Sequence, residues 1–240
     1  MNLLISGISG RMGQMILNLA QRDAHWNTIE GVDETKSFET IRMDANVVID
    51  FSHPTATKRV MDYCKTKKIP LVLGTTGLTN EEQELVDQAS KIIPIMQATN
   101  MSLGMNIMFS LVEKVASILK GTVDIEVIEA HHNRKVDAPS GSAQTIVESI
   151  ERGLGSKAKH VHGRQGQCPR DKGEIGIHAI RGGNIVGLHE ANFINDLETI
   201  KITHEAYDRS VFAEGALVAA KFIIDKPVGI YNMKDVLNIQ

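Results

Sequence analysis

The chain has 240 residues, 42% hydrophobic and 23% charged, enough for one large domain or two modest ones with a sizeable core. Its net charge of -3 lacks the basic surplus that nucleic-acid phosphates demand, so any anion site must be assembled locally. No apolar run approaches the roughly 20 residues of a membrane helix, and Met1 to Ile5 reads as a strand rather than a secretory signal. Cys64 and Cys168 stand far apart without a CxxC pair, as expected for reduced thiols in a cytoplasmic protein.

In chain order, Leu3 to Ser6, Thr28 to Val32, Asn46 to Phe51, Pro70 to Leu73 and Ile93 to Gln97 read as buried strands. Between them, Arg11 to Gln21, Thr55 to Lys67 and Asn80 to Lys91 carry helical spacing, and Thr79 with Glu82 forms a capping-box pattern. Strands alternating with helices imply crossover units and a parallel sheet covered on both faces. After Met101 the pattern changes. Leu103 to Leu119 is a long apolar helix, and then Val123, Ile125 and Val127 alternate with Asp124 and Glu126. Ile175 to Arg181 and Asn184 to Glu190 read as a hairpin closed by Gly182-Gly183, and Ile200, Ile202 and Ala206 mark another alternating strand. The Gly-, Lys- and His-rich stretch from Gly153 to Gly173 reads as a mobile loop, and Val211 to Ile223 is helical again. The expected architecture is α/β. A Rossmann-type parallel-sheet cofactor domain spans 1–101 and 210–240, and a mixed α+β substrate and oligomerisation domain spans 102–209, with hinges near Met101 and Arg209.

Gly7-Ile8-Ser9-Gly10-Arg11-Met12-Gly13 follows the first strand directly and opens the first helix. Glycine permits positive φ and close approach to a pyrophosphate, and a helix start offers N–H groups and partial positive charge. Asp33 ends the second strand, where an acid accepts hydrogen bonds from the adenine-side ribose. Asp33 and Glu34 repel a 2′-phosphate whereas Arg11 and Lys36 attract one, so both NADH and NADPH are expected. Gly74-Thr75-Thr76-Gly77 and Ala98-Thr99-Asn100-Met101 lie at the ends of the fourth and fifth strands, where open α/β sheets bind ligands, and Gly74, Thr75, Thr76, Ala98, Thr99, Asn100 and Met101 are candidates to approach the nicotinamide.

The segment Glu129 to Ala143 packs His131, His132, Arg134 and Lys135 ahead of Ala138-Pro139-Ser140-Gly141-Ser142, which reads as a helix start with proline in its first turn. Reduction of a ring conjugated to an imine leaves an electron-rich product that needs a proton, and histidine is the natural donor near neutral pH. One imidazole can donate while the other binds a carboxylate. Lys135 adds a mobile cation, and the N–H groups of Gly141 and Ser142 suit a second carboxylate. The bland alternative is a solvated polar turn. Adjacent histidines rarely share one metal and no Cys or carboxylate sits at ligand spacing, so no metal is expected; His160-Val161-His162 reads as solvated or as part of substrate-loop closure.

The glycine turn, Asp50-Phe51-Ser52, the two strand-end segments and above all Glu129 to Ala143 resemble the dihydrodipicolinate reductase family over nearly the whole chain. The resemblance implies hydride transfer from NAD(P)H to a small dicarboxylate heterocycle on the diaminopimelate route to lysine. It implies His131 as proton donor, Lys135 as second acid and dicarboxylate ligand, and His132 with Gly141 and Ser142 as substrate binders; Ser140, at the same helix start, is a further substrate-binding candidate. It also implies a homotetramer joined through the sheets of the second domain. Three positions depart from the pattern: Ser142 replaces threonine, Met101 replaces phenylalanine, and the basic residue after the acid is displaced to Lys36. Rival readings are a dehydrogenase of homoserine or aspartate type and a nicotinamide-sensing regulator. The first gives no reason for the His-His-x-x-Lys and Ser-Gly-Ser pattern. The second calls for a DNA-binding segment or a large exposed apolar patch, and the sequence shows no basic helix of that kind.

Overall fold

The computed structural model describes residues 1–239, which divide into two compact units: Met1–Leu103 together with the stretch from Ser210 on, and Gly104–Arg209. The first unit opens with β1 (Asn2–Ser6), α1 (Arg11–Ala20), β2 (Thr28–Val32), β3 (Val47–Asp50), α2 (Thr57–Lys67), β4 (Leu71–Leu73), α3 (Asn80–Ala89) and β5 (Pro94–Gln97). Leu3, Leu4, Ile5, Val47, Val48, Ile49, Leu71, Val72 and Leu73 are all fully buried, as strands covered on both faces require. In α1, Gly13, Ile16 and Ala20 share the inward face. The Thr79–Glu82 capping box forms in full and starts α3.

The second unit holds α4 (Leu103–Ile118), β6 (Asp124–His131), α5 (Gly141–Leu154), β7 (His160–His162), β8 (Ile175–Arg181), β9 (Gly187–Ile194) and β10 (Thr199–Ala206). The chain then returns to the first unit with α6 (Ser210–Ile223), β11 (Gly229–Tyr231) and α7 (Met233–Leu237). Among the described residues the first sheet runs β11-β5-β4-β3-β1-β2, all parallel. Its strand order reverses at β1, so β1 and β3 flank the crevice where such sheets bind ligands.

The second sheet runs β10-β9-β6-β8-β7 and is mixed. Its order corrects the expected hairpin. β8 and β9 do not pair with each other; β8 lies parallel to β6 on one side and β9 antiparallel on the other. The Gly182-Gly183 turn instead clasps the end of β6, with Gly182 N–H donating to His131 O (2.9 Å) and Asn133 N–H to Gly183 O (3.2 Å). A local turn signal cannot reveal that a third strand is inserted between its arms.

Two further expectations need correcting. The stretch from Gly153 to Gly173 contains the end of α5 and the edge strand β7, and ion pairs tie it down. His160 meets Glu151 (2.9 Å), Lys159 meets Asp171 (2.6 Å), Arg164 pairs with Glu174, and Arg170 pairs with Glu126. Polar composition reports solvation and not these long-range partners: His160 and His162 are indeed exposed, but they sit on the edge strand β7. Pro139 also precedes α5 instead of entering its first turn, because Ser140 is the N-cap and its Oγ accepts from Ala143 N–H (3.2 Å).

Candidate active site

In the first unit the glycine turn is shaped by the backbone. Gly7 sits at φ +80° and donates to Val32 O (2.9 Å), which binds the turn to β2. A Cβ on Gly13 would lie 2.2 Å from Gly7 O, so only glycine lets α1 approach this closely. Gly10 is the N-cap and brings no side chain, so α1 begins without a side-chain acceptor for its first N–H groups. That uncapped start, flanked by two required glycines, fits a dinucleotide pyrophosphate, which the N–H groups at the start of α1 would hold, with Ser9 and Gly10 lining the adjoining cleft. Ile8 and Met12 instead pack against the core and act through the turn's shape.

A cleft of about 710 Å³ opens beside this turn and is lined by Asp33, Lys36, Phe38, Ser52, Arg59 and Tyr63 among others. Asp33 Oδ1 accepts from the Thr35 hydroxyl (2.7 Å), Thr35 N–H (2.8 Å) and Lys36 N–H (3.0 Å), bonds that hold its carboxyl below the usual range. The ionised acid is fixed at the end of β2, where a ribose would meet it. Lys36 is paired with Glu30 (3.3 Å), so a 2′-phosphate has to compete for it. Arg59 was not foreseen, because it is one of several cations in a helical pattern, beside Lys58.

Asp50 is fully buried and knits the strand ends together. Burial pushes its pKa up, against the hydroxyls of Ser52, Ser6 and Thr75. Thr75 Oγ1 donates to Asp50 Oδ2 (2.6 Å) and accepts from Ser52 N–H (3.1 Å), so this side chain is committed to structure. Gly74 N–H donates to Asp50 O and Ala98 N–H to Leu73 O, which brings both strand-end segments to one edge of the sheet. Thr76 and Asn100 lie beside them; Asn100 Oδ1 takes Ser102 N–H (2.9 Å), and Thr99 precedes it. Met101 is buried in the hydrophobic core, so only its backbone can face a ligand.

In the second unit one carboxylate organises the site. Glu129 faces the same side of β6 as His131 and is fully buried. Its oxygens receive both terminal nitrogens of Arg181 (2.7 and 2.8 Å), Ser140 N–H (3.0 Å) and His131 Nδ1 (2.6 Å). Burial would push the Glu129 pKa up, but Arg181, His131 and the Ser140 N–H outweigh it, and the carboxyl stays below its usual range. An ionised carboxylate only accepts, so His131 Nδ1 carries a proton and Nε2 is left as the exchanging nitrogen. Burial lowers the His131 pKa, Glu129 opposes that, and the cations Lys135 and Arg181 add to it.

The other candidates surround this pair. His132 Nε2 lies 3.2 Å from Arg209 Nη2, a donor only, so Nε2 accepts and Nδ1 holds the proton. That Nδ1 is buried without a protein partner, a donor ready for an anion. Lys135 Nζ rests on Asp137 (2.9 Å). Arg181 also donates to Asp137 O (2.7 Å), tying the loop to β8. Gly141 and Ser142 carry the first two N–H groups of α5, and a side chain on Gly141 would meet only open space. Ser140 Oγ serves Ala143 N–H and His189 Nε2 (3.1 Å), so it shapes the helix start. His189 is buried, its pKa pushed down to about 4 by that burial and then by His131, whose ring it meets edge-on at 5.1 Å. Arg181 and His189 escaped the sequence reading. Their signal was a polar side chain at the end or in the buried phase of an alternating strand. Among the described residues no cluster of His, Cys, Asp and Glu has the spacing to hold a metal.

A reversing parallel sheet with an uncapped glycine turn, and a second sheet carrying a tautomer-fixed histidine among cations, define a nicotinamide-dependent oxidoreductase acting on an anion. Comparison with known proteins is specific. The family "Dihydrodipicolinate reductase, N-terminus" matches residues 1–101, and "Dihydrodipicolinate reductase, C-terminus" matches residues 104–237. A 4-hydroxy-tetrahydrodipicolinate reductase of Alkaliphilus metalliredigens strain QYMF is 64% identical over 239 residues, covering 100% of both chains. That of Clostridium tetani strain Massachusetts / E88 is 42% identical over 246 residues, covering 98% of this chain and 96% of its own. In fold, the chain is similar to a dipicolinate-bound dihydrodipicolinate reductase from Paenisporosarcina sp. TG-14, with TM-score 0.75 and 20% identity, covering 100% and 99% of the two chains. The chain belongs to the dihydrodipicolinate reductase family.

Proposed function

We propose that the chain reduces 4-hydroxy-tetrahydrodipicolinate, by way of the dehydrated ring, to tetrahydrodipicolinate on the diaminopimelate route to lysine. The observation that carries this reading is His131 Nε2, left as the exchanging nitrogen by Glu129 and under the electrostatic influence of Lys135 and Arg181. Family membership supports it. NADH or NADPH, held by the Gly7–Gly13 turn, Asp33, Lys36 and the backbone of the Gly74–Thr76 and Ala98–Met101 segments, supplies the hydride. His131 then gives its Nε2 proton to the electron-rich carbon of the reduced ring. His132 Nδ1–H, Lys135 and the start of α5 hold the two carboxylates, with Lys135 as second acid. Self-association as a homotetramer through the sheet of the second unit, and a cytoplasmic location, complete the reading. The described chain has no helix long and apolar enough to cross a membrane.

The test follows reduced-nicotinamide absorbance while substrate is generated from pyruvate and aspartate semialdehyde by the preceding synthase, with NADH and NADPH in parallel. Oxidation that needs both enzyme and generated substrate is expected, and its absence despite cofactor binding refutes the reading. The pH profile adds a sign. A donor must be protonated, and burial lowers His131 from its ordinary 6.5, so kcat/KM falls as pH rises through that lowered value. Glu129→Gln removes the carboxylate that holds the proton and moves this fall to lower pH; an unmoved profile excludes the pair.

A further inference from the structure

We infer that Gly187 directs proton delivery by His131: its missing side chain lets the imidazole stand close against β9, where Nε2 is held in position to give up its proton. The inference rests on the proposed reading of His131 as proton donor. Three observations carry it. Glu129 occupies Nδ1 at 2.6 Å, so the proton leaves from Nε2. His189, two residues beyond Gly187 in β9, meets the His131 ring at 5.1 Å with the planes 74° apart and so helps hold it in place. On the Nε2 side stands Gly187 itself, where an added Cβ would lie 3.3 Å from Nε2, 3.7 Å from Cδ2 and 3.8 Å from His189 Cε1.

Gly187 is not among the residues with positive φ, so its backbone is open to any residue and does not demand glycine. The demand comes from the space. A carbon accepting a proton must come within about 3 Å of the donor nitrogen. A Cβ on Gly187 would stand 3.3 Å from that nitrogen, tighter than ordinary contact, and would press the ring out of its position. In the transfer, the Nε2–H bond breaks and its electron pair stays on the imidazole. A C–H bond forms on the ring carbon made electron-rich by the hydride, and solvent later reprotonates His131. Gly187 is thus a positioning residue, acting through the space beside His131.

The test compares wild type, Gly187→Ala and Gly187→Val in NADH oxidation with generated substrate. It adds solvent deuterium isotope effects on kcat, and binding of NADH and of pyridine-2,6-dicarboxylate, a planar dicarboxylate that is not reduced. In Gly187→Ala we expect kcat to fall about tenfold, within the range that a misplaced reacting group costs, with a larger isotope effect as proton transfer becomes limiting. NADH affinity stays within about twofold and dicarboxylate affinity within about threefold of wild type, a split that a general loss of structure does not produce. Gly187→Val extends the same trend, and if it fails to fold, the alanine variant decides alone. Wild-type kcat and isotope effect in Gly187→Ala overturn the inference, as does a loss of kcat matched by an equal loss of dicarboxylate affinity. An inactive wild type would instead overturn the underlying reading.

Discussion

Each unit carries a strand that runs through a turn into a helix start, and the two build an anion site from different materials. In the first unit the backbone does the work. Gly7 and Gly13 fit the turn to the helix, and Gly10 leaves α1 without a side-chain cap. In the second unit side chains do it. Ser140 caps α5, Glu129 binds the Ser140 N–H, and Arg181 neutralises Glu129. A pyrophosphate is large and symmetric in charge, so a bare cradle of N–H groups suffices. Delivering one proton to one carbon requires a fixed tautomer, and that takes a charged partner with partners of its own.

If this contrast holds, the second unit has the most to lose from a single truncation. Arg181→Ala strands the buried Glu129 carboxylate and is expected to cost about 3–5 kcal/mol, the scale for removing one partner of a buried pair. Urea denaturation checks this, and a loss below about 1 kcal/mol shows that water replaces the guanidinium. His131→Gln should lower turnover about 10²-fold while NADH binding stays intact, because the two sites are built separately. Near-normal turnover removes His131 from the role. In the first unit, Gly13→Ala forces the turn apart, with an expected cost of about 1–3 kcal/mol and a weakened NADH affinity measurable by fluorescence titration. Unchanged affinity would mean the turn does not hold the cofactor. The smallest effect belongs to Ser140→Ala, about 1 kcal/mol from the lost cap, read by thermal melting. A neutral result would assign the cap to another group.

The same contrast explains what could be read in advance. The glycine turn was legible because its requirements are local: a strand, three glycines, a helix and an acid, all within Leu3 to Asp33. The loop from Glu129 to Ala143 was legible as chemistry, since two imidazoles, two cations and a Ser-Gly-Ser helix start have little structural use together. Its mechanism was not. Arg181 reaches Glu129 across 52 residues and His189 reaches Ser140 across 49, distances at which periodicity is silent. Thr75 reads as a ligand hydroxyl, yet it serves Asp50, which lies 25 residues away. Met101 reads as the end of a cofactor segment, yet it fills the core.

By itself, then, the sequence determined most of the strands and helices, though not β7, β11 or α7, that the first sheet is parallel, and which residues bring acid–base chemistry. Those properties follow from the spacing of apolar side chains and from backbone constraints at glycine. Tertiary structure alone decided that β6 lies between β8 and β9, that Glu129 is ionised though buried, and that Nε2 of His131 faces Gly187. Spacing tells a residue which face it occupies. The neighbour across that face, and with it the charge and the proton's position, is set only when distant strands come together.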